Sequence, residues 1–239
     1  MVGNVASHRG IIYSATGEFW LGEAINSAKA SRRFNNVPHR IFSDVPFTER
    51  IEGVEFEKYN STGDPFLDKI NSIERSPFEQ TLYLDTDTYV IANLDEMFDL
   101  LRRFDVAAAH APGYTKHPDN GQSEAFFDFN TGVIAYRKTA PVVDFLANWA
   151  AIHKRWTEAP PFQMRTVDQA SFRRALWESA LAVYVLSPEY NYRTRYAGRL
   201  VGAAKIIHGR VTNYEKMAAH INATLGPRVF PIFPSDAAW

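Results

Sequence analysis

Short apolar runs alternate with stretches of helical periodicity along this chain, and that alternation predicts a mostly parallel sheet with helices on its faces. Ile11-Ile12-Tyr13 reads as a first strand, and Trp20, Leu21, Ala24, Ile25 and Ala28 then recur at helical spacing. Arg40-Ile41-Phe42 and Val54-Glu55-Phe56 supply two further strands. Asp64-Pro65, a cap followed by a first-turn proline, opens a helix bearing Phe66, Leu67, Ile70 and Ile73. Leu82-Tyr83-Leu84 ends a buried strand, and Thr88-Tyr89-Val90-Ile91 follows it. Asn93 and Glu96 have capping-box spacing for a helix through Leu100 and Leu101.

Strands are predicted over 106–109 and 133–136. Between them, residues 112–128 are polar, aromatic and too irregular for a core element, and long loops of that kind often carry function. Thr139 and Pro141 open a helix through Phe145, Leu146 and Trp149, and 168–177 reads as another. Strands over 182–186 and 204–208 come next, before a terminal helix capped by Thr212 and Glu215. A chain of 239 residues without an evident repeat or linker suits one large α/β domain.

The candidate chemistry sits where the best-defined strand ends. Asp85 and Asp87 flank Thr86 just beyond Leu82-Tyr83-Leu84, at the carboxyl edge where open α/β sheets bind ligands. Two carboxylates this close repel, so the pair calls for a cation. Mn²⁺ or Mg²⁺, gripping a substrate diphosphate at the same time, fits that need. Asp-x-Asp also occurs in ordinary loops, and Asp85-Thr86-Asp87-Thr88 fits the string of haloacid-dehalogenase-like phosphatases as well. Asn130-Thr131-Gly132 places an amide and a permissive glycine at the mouth of a strand, where a plain turn would explain it equally. Asp168-Gln169 begins a helix, a position that favours a carboxylate through the helix dipole alone. His208 ends a strand and has the chemistry of a third Mn²⁺ ligand. Lys69 is an ordinary surface lysine unless phosphates lie near.

Composition narrows the classes. The net charge of −1 gives no electrostatic case for nucleic acid or an anionic membrane as a general partner. The absence of cysteine excludes disulfides, thiolate metal sites and a cysteine nucleophile. Met1 to Gly10 lack the apolar core of a signal peptide and no run approaches membrane-spanning length, so a cytoplasmic protein is expected.

Taken in order, these motifs resemble those of retaining glycosyltransferases of family eight, the group that contains glycogenin and the lipooligosaccharide galactosyltransferases, with the GT-A fold. The resemblance spans roughly residues 10–210. It rests on Asp85 and Asp87, on Asn130-Thr131-Gly132, on Asp168-Gln169, on His208, and on Lys69 one helix upstream of the acidic pair. Tyr13-Ser14-Ala15-Thr16 matches the stretch that cradles the base, with Phe19 where an aromatic often lies, and Pro188 to Arg193 matches the segment before the last strand. The resemblance implies transfer from a nucleoside diphosphate sugar, with uracil as the base, to a glycan or other hydroxyl acceptor. It implies Asp85, Asp87 and His208 as metal ligands, and Tyr13, Ala15, Thr16, Lys69, Thr86, Asn130 and Gly132 as donor-binding residues. Asp168 would orient the sugar and Gln169 would lie near the anomeric carbon. On this reading the first part of the chain, about 10–110, holds the nucleotide, and the rest, about 111–239, the acceptor. Phe126, Phe127 and Tyr114 would form the acceptor wall, and Asp128 is the candidate base for an inverting alternative. The family's C-terminal signature departs here. Gly209 follows His208 directly and no lysine-proline pair appears, which leaves Arg210 or Lys216 as the phosphate-binding cation. A non-catalytic sugar-nucleotide or glycan-binding protein on the same fold is the alternative from another class.

Overall fold

A computed structural model of the protein describes residues 8–113, 122–123, 125–158 and 168–232. The elements, in chain order, begin with β1 (Arg9–Ala15), α1 (Glu18–Arg32), β2 (His39–Ser43), β3 (Val54–Lys58), α2 (Pro65–Glu74), β4 (Gln80–Leu84) and β5 (Thr88–Val90). Next come α3 (Asp95–Leu100), β6 (Val106–His110), β7 (Phe129–Arg137), α4 (Ala140–Glu158) and α5 (Asp168–Trp177). The last part comprises β8 (Val183–Leu186), β9 (Tyr192–Arg193), β10 (Gly198–Leu200), β11 (Ile206–His208), α6 (Tyr214–Ile221) and β12 (Arg228–Phe230).

Seven strands form the central sheet in the order β3-β2-β1-β4-β7-β6-β8. Only β7 runs against its neighbours; the β3, β2, β1 and β4 pairings are parallel, as is β6 with β8. The mostly parallel α/β fold expected from the sequence is therefore present. Side chains alternate between two apolar layers, as the two-residue repeat of a strand requires. Ile11, Tyr13, Leu82, Leu84, Val133 and Ala135 face α1 and α3 in one core. Ile12, Tyr83, Ile134 and Tyr136 face α2, α4 and α5 in the other. A sheet covered on both faces reads as continuous apolar runs, which is why the strands were legible.

Several local expectations need correction. Trp20 is 45% exposed, so the buried stripe of α1 is Leu21, Ala24, Ile25 and Ala28. The Asn93 side chain accepts from the Asp95 amide at 2.8 Å, but Glu96 turns away to pair with Lys205, so no reciprocal capping box forms. The last helix is capped by Asn213, which accepts from the Lys216 amide, and not by Thr212. The 204–208 strand is real but lies outside the main sheet. As β11 it pairs antiparallel with β5 and parallel with β9 in a separate three-stranded sheet. That small sheet rests on its own apolar cluster of Tyr192, Leu200, Ile207, Met217 and Ile221. Among the described residues no helix is long and apolar enough to cross a membrane.

Trp149 links the second core to the start of α5. It is fully buried, stacks edge-on with Phe172 at 4.8 Å, and donates its indole N–H to the Asp168 carbonyl and the Ser171 hydroxyl, each at 3.1 Å. Trp149→Ala should therefore cost about 3–5 kcal/mol, since it opens a large cavity and frees two acceptors. Urea unfolding measures this; a loss below about 1 kcal/mol would contradict the packing role.

Candidate active site

The carboxyl ends of β1 and β4 open onto a cleft of about 220 Å³. Asp85 is the first residue after β4, and its amide donates to the Gly132 carbonyl at 2.8 Å, which continues the β4–β7 ladder. The Thr88 amide and hydroxyl both bond the Asp85 carbonyl, at 3.2 and 2.7 Å, so the chain turns tightly and delivers Asp87 beside Asp85. Pairing of β5 with β11 then sets His208 opposite Thr88. The Gly209 amide, on a backbone of φ 123° that suits glycine, bonds the Asp87 carbonyl at 2.9 Å. Three ligand atoms from Asp85, Asp87 and His208 thereby lie within 4.8 Å of one another.

Gly132 contributes by what it lacks. A Cβ at this position would stand 2.0 Å from His208 Cε1 and 2.7 Å from Asp85 Oδ2. The absence of a side chain lets strand β7 pass close under the histidine. Asn130-Thr131-Gly132 lies inside β7 instead of at its opening.

A chain of amides fixes the imidazole. The Gly132 N–H can only donate, and it donates to Asn130 Oδ1 at 3.2 Å. Asn191 Nδ2 also donates to Asn130 Oδ1, at 2.8 Å. Asn191 Oδ1 is then the acceptor facing His208 Nδ1, at 2.8 Å, so that nitrogen carries the proton. Nε2 is left pointing at Asp87 Oδ1, 3.3 Å away, and at Asp85 Oδ2, 3.7 Å away. A neutral imidazole with this tautomer aims a lone pair at two carboxylates, an arrangement that suits a divalent cation between them. The donor set of two carboxylates and one imidazole nitrogen could hold a divalent metal ion.

Lys69 is not a free cation. Its side chain is buried, with Nζ 2.9 Å from Asp85 Oδ1, 2.8 Å from Asp168 Oδ2 and 3.2 Å from Thr131 Oγ1. Burial lowers the lysine pKa, but Asp168 and Asp85 outweigh it and hold the group above its ordinary value. Thr131 also donates to Asp168 Oδ2 at 2.7 Å, and Tyr83 donates to Asp85 Oδ1 at 2.7 Å. Asp168 is thus held by two partners. On the other carboxylate, burial pushes the Asp87 carboxyl up, while His208 in its protonated form, Arg210 and Arg193 pull harder and hold it below the usual carboxylate range; a divalent cation bound there would take the place of that imidazole proton. Arg210 reaches to 3.7 Å from Asp87 and lines the cleft, but its fork is closed on Glu23 at 2.6 and 2.8 Å. Thr86 donates to the same Glu23 at 3.0 Å. Lys216 is exposed on α6, so of these two candidates it is Arg210 that lines the cleft.

Of the residues expected around the base, Thr16 lines the cleft while Tyr13 and Ala15 do not. Both are fully buried, and Tyr13 packs against His39. Alternation along β1 turns Tyr13 toward α1, and it is Ser14, with Trp20 and Phe66, that faces the opening. Gln169 lies in a small recess with Asn130, Arg193 and Tyr196. Its Oε1 accepts from Asn130 Nδ2 at 2.5 Å, which leaves its amide NH₂ for a ligand. Phe126 packs on Arg173 and Trp177, whereas Phe127 is 62% exposed; Tyr114 lies outside the described residues. Asp128 forms an ion pair with Arg173 at 3.4 Å. The residues that sequence reasoning missed are Glu23 and Asn191. Glu23 carries no local signal. Asn191 lies in a segment that the family resemblance had marked, though without a role.

Removal of Asn191 would release the imidazole from its fixed tautomer. Asn191→Ala is predicted to weaken Mn²⁺ binding about 10–100-fold, the usual cost of losing a partner behind a metal ligand. Calorimetric titration of the folded variant with Mn²⁺ measures it, and unchanged affinity would contradict the relay.

Comparison with known proteins places this geometry. Residues 80–224, more than half of the chain and running from β4 through α6, match the family described as nucleotide-diphospho-sugar transferase. No curated protein sequence matches the chain. The solved glycosyltransferase GlyE of Streptococcus pneumoniae TIGR4 superposes with a TM-score of 0.55 at 16% identity, over 80% of this chain and 48% of that one. The chain thus spans about half the length of that structure. The galactosyltransferase LgtC, solved with donor and acceptor sugar analogs, gives 0.53 at 16% identity, over 77% of this chain and 75% of that one. Both likenesses establish the shared GT-A fold.

Proposed function

The chain belongs to the nucleotide-diphospho-sugar transferase family, and from that premise we propose that it is a metal-dependent glycosyltransferase moving a sugar from a uridine diphosphate sugar to an acceptor hydroxyl with retention, in the manner of family eight. The observation that carries the proposal is the convergence of Asp85, Asp87 and His208 at the mouth of the cleft that Thr16, Lys69 and Arg210 line. A divalent cation held by those three residues would supply Lewis-acid neutralisation of the charge that grows on the leaving diphosphate.

This chain's own residues account for the rest. Arg210, released from Glu23, has the reach to meet a phosphate at the cleft. Lys69 serves as a positioning residue, because its charge is consumed by Asp85 and Asp168. Asn130 and Asp168 orient the sugar, and Gln169 presents its amide near the anomeric carbon. A covalent intermediate on Asp168 is disfavoured, since the residue is buried and anchored through Oδ2 by Lys69 and Thr131. The acceptor oxygen therefore attacks from the face of the departing phosphate, the carbon–oxygen bond to the diphosphate breaks, and the phosphate oxygen takes the hydroxyl proton. Nucleotide binding falls mainly to the first part of the chain, about 10–110, with His208 and Arg210 of the second part completing the site. The family match speaks against the phosphatase alternative, and a complete ligand set gives no support to a binding-only protein.

Turnover of uridine diphosphate sugars followed by proton NMR tests the proposal, with metal removed before each spectrum. Transfer should need Mn²⁺ or Mg²⁺, and the product should keep the donor's anomeric configuration. Asp87→Asn should lower turnover about 100-fold or more. Gln169→Ala should depress turnover more than donor affinity. An inverted product would refute retention, and full activity of Asp87→Asn would refute the metal site.

A further inference from the structure

The recess at Gln169 does not end the site. It shares Pro112, Arg193 and Tyr196 with a larger groove of about 460 Å³ that runs along β8 and the segment after β9. Tyr184 and Tyr196 wall that groove with rings that are each 38% exposed. Half-exposed aromatic faces of this kind stack on the apolar faces of sugar rings. Two guanidinium groups, Arg193 and Arg199, also line it.

Neither arginine has an ion-pair partner within 4.0 Å among the described residues, although Arg193 stands near enough to Asp87 to help hold its carboxyl down. Arg193 Nε is buried there without a hydrogen-bond partner, and its head stands 5.7 Å from the Tyr196 ring centroid. Arg199 projects into solvent from β10, at the point where this groove meets a second one lined by Lys205. The arrangement is local, since the whole chain carries a net charge of only −1. A buried donor without an acceptor is costly, and an arginine fork matches a planar carboxylate or a phosphate. The groove therefore presents two guanidinium groups, whereas Lys205 beyond it is paired with Glu96.

We propose that the acceptor is an anionic saccharide, bearing a carboxylate or a phosphate, which lies in this groove with its anion on Arg193 and Arg199 and its reacting hydroxyl at Gln169. This rests on the glycosyltransferase reading and names its acceptor class. The tyrosine faces hold the ring, the guanidinium groups fix its direction, and the recess admits one hydroxyl toward the donor.

Three aryl β-glycosides serve as probes: the glucoside, the glucuronide and the 6-phosphoglucoside. Each is titrated calorimetrically into the full chain saturated with Mn²⁺ and uridine diphosphate. At least one charged probe should bind about tenfold or more tightly than the glucoside, in keeping with a charge-assisted hydrogen bond. The arm that gains identifies carboxylate or phosphate as the group recognised. Arg199→Gln should erase most of that preference. Equal affinity for all three probes, or a preference that survives Arg199→Gln, would overturn the acceptor inference while leaving the transferase reading intact. Failure of the unsubstituted protein to bind uridine diphosphate at all would overturn both.

Discussion

The site depends on one buried ammonium. Lys69 Nζ lies between Asp85 and Asp168 at 2.9 and 2.8 Å, with Thr131 as a third partner. A lysine in that environment is costly unless its proton is retained by paired anions, and both carboxylates would be costly without it. The triad ties α2, the end of β4, β7 and the start of α5 into one rigid junction. It also couples Asp85, one of the three groups that could hold a cation, to Asp168 and so to the Gln169 end of the cleft. Replacement of the lysine would leave two close anions without a counter-charge, Asp168 among them buried, so this contact orders the floor of the cleft before any ligand arrives.

A second network fixes the opposite wall. Hydrogen bonds pass from the Gly132 amide through Asn130 to Asn191 and His208, and from Asn130 to Gln169. Asn130 is the branch point, so the orientations of the His208 imidazole and of the Gln169 amide are coupled through one side chain. The requirement for glycine at 132 follows from the same geometry, since any side chain would displace the imidazole.

Much of this was legible in the sequence, for definite reasons. Strands buried on both faces write themselves as apolar runs, and Asp64-Pro65 and Asp168 mark helix starts by local chemistry. Asp85 and Asp87 were legible because a buried strand leads directly into them. The misread elements depended on tertiary pairing instead. Glu96 leaves its capping position because Lys205 is available across a crossing loop. Tyr13 looked like a base-binding residue, but strand alternation sends it into the core and leaves Ser14 at the opening. Lys69 read locally as an ordinary surface lysine, because nothing in the sequence around it reveals that two carboxylates enclose it. Glu23, which holds Arg210 and Thr86, sits on an ordinary helix face and carries no signal until the fold brings residue 210 to it.

The central claim is that Asp85, Asp87 and His208 hold one divalent cation against a nucleotide diphosphate. Pulsed electron paramagnetic resonance on the Mn²⁺-loaded protein with uridine diphosphate tests it directly, because Mn²⁺ senses the nuclei bound to it. The predicted spectrum contains a nitrogen coupling from one imidazole, absent in His208→Ala, together with phosphorus couplings from the nucleotide. Phosphorus couplings without the nitrogen, or a nitrogen coupling unaffected by His208→Ala, would contradict the account.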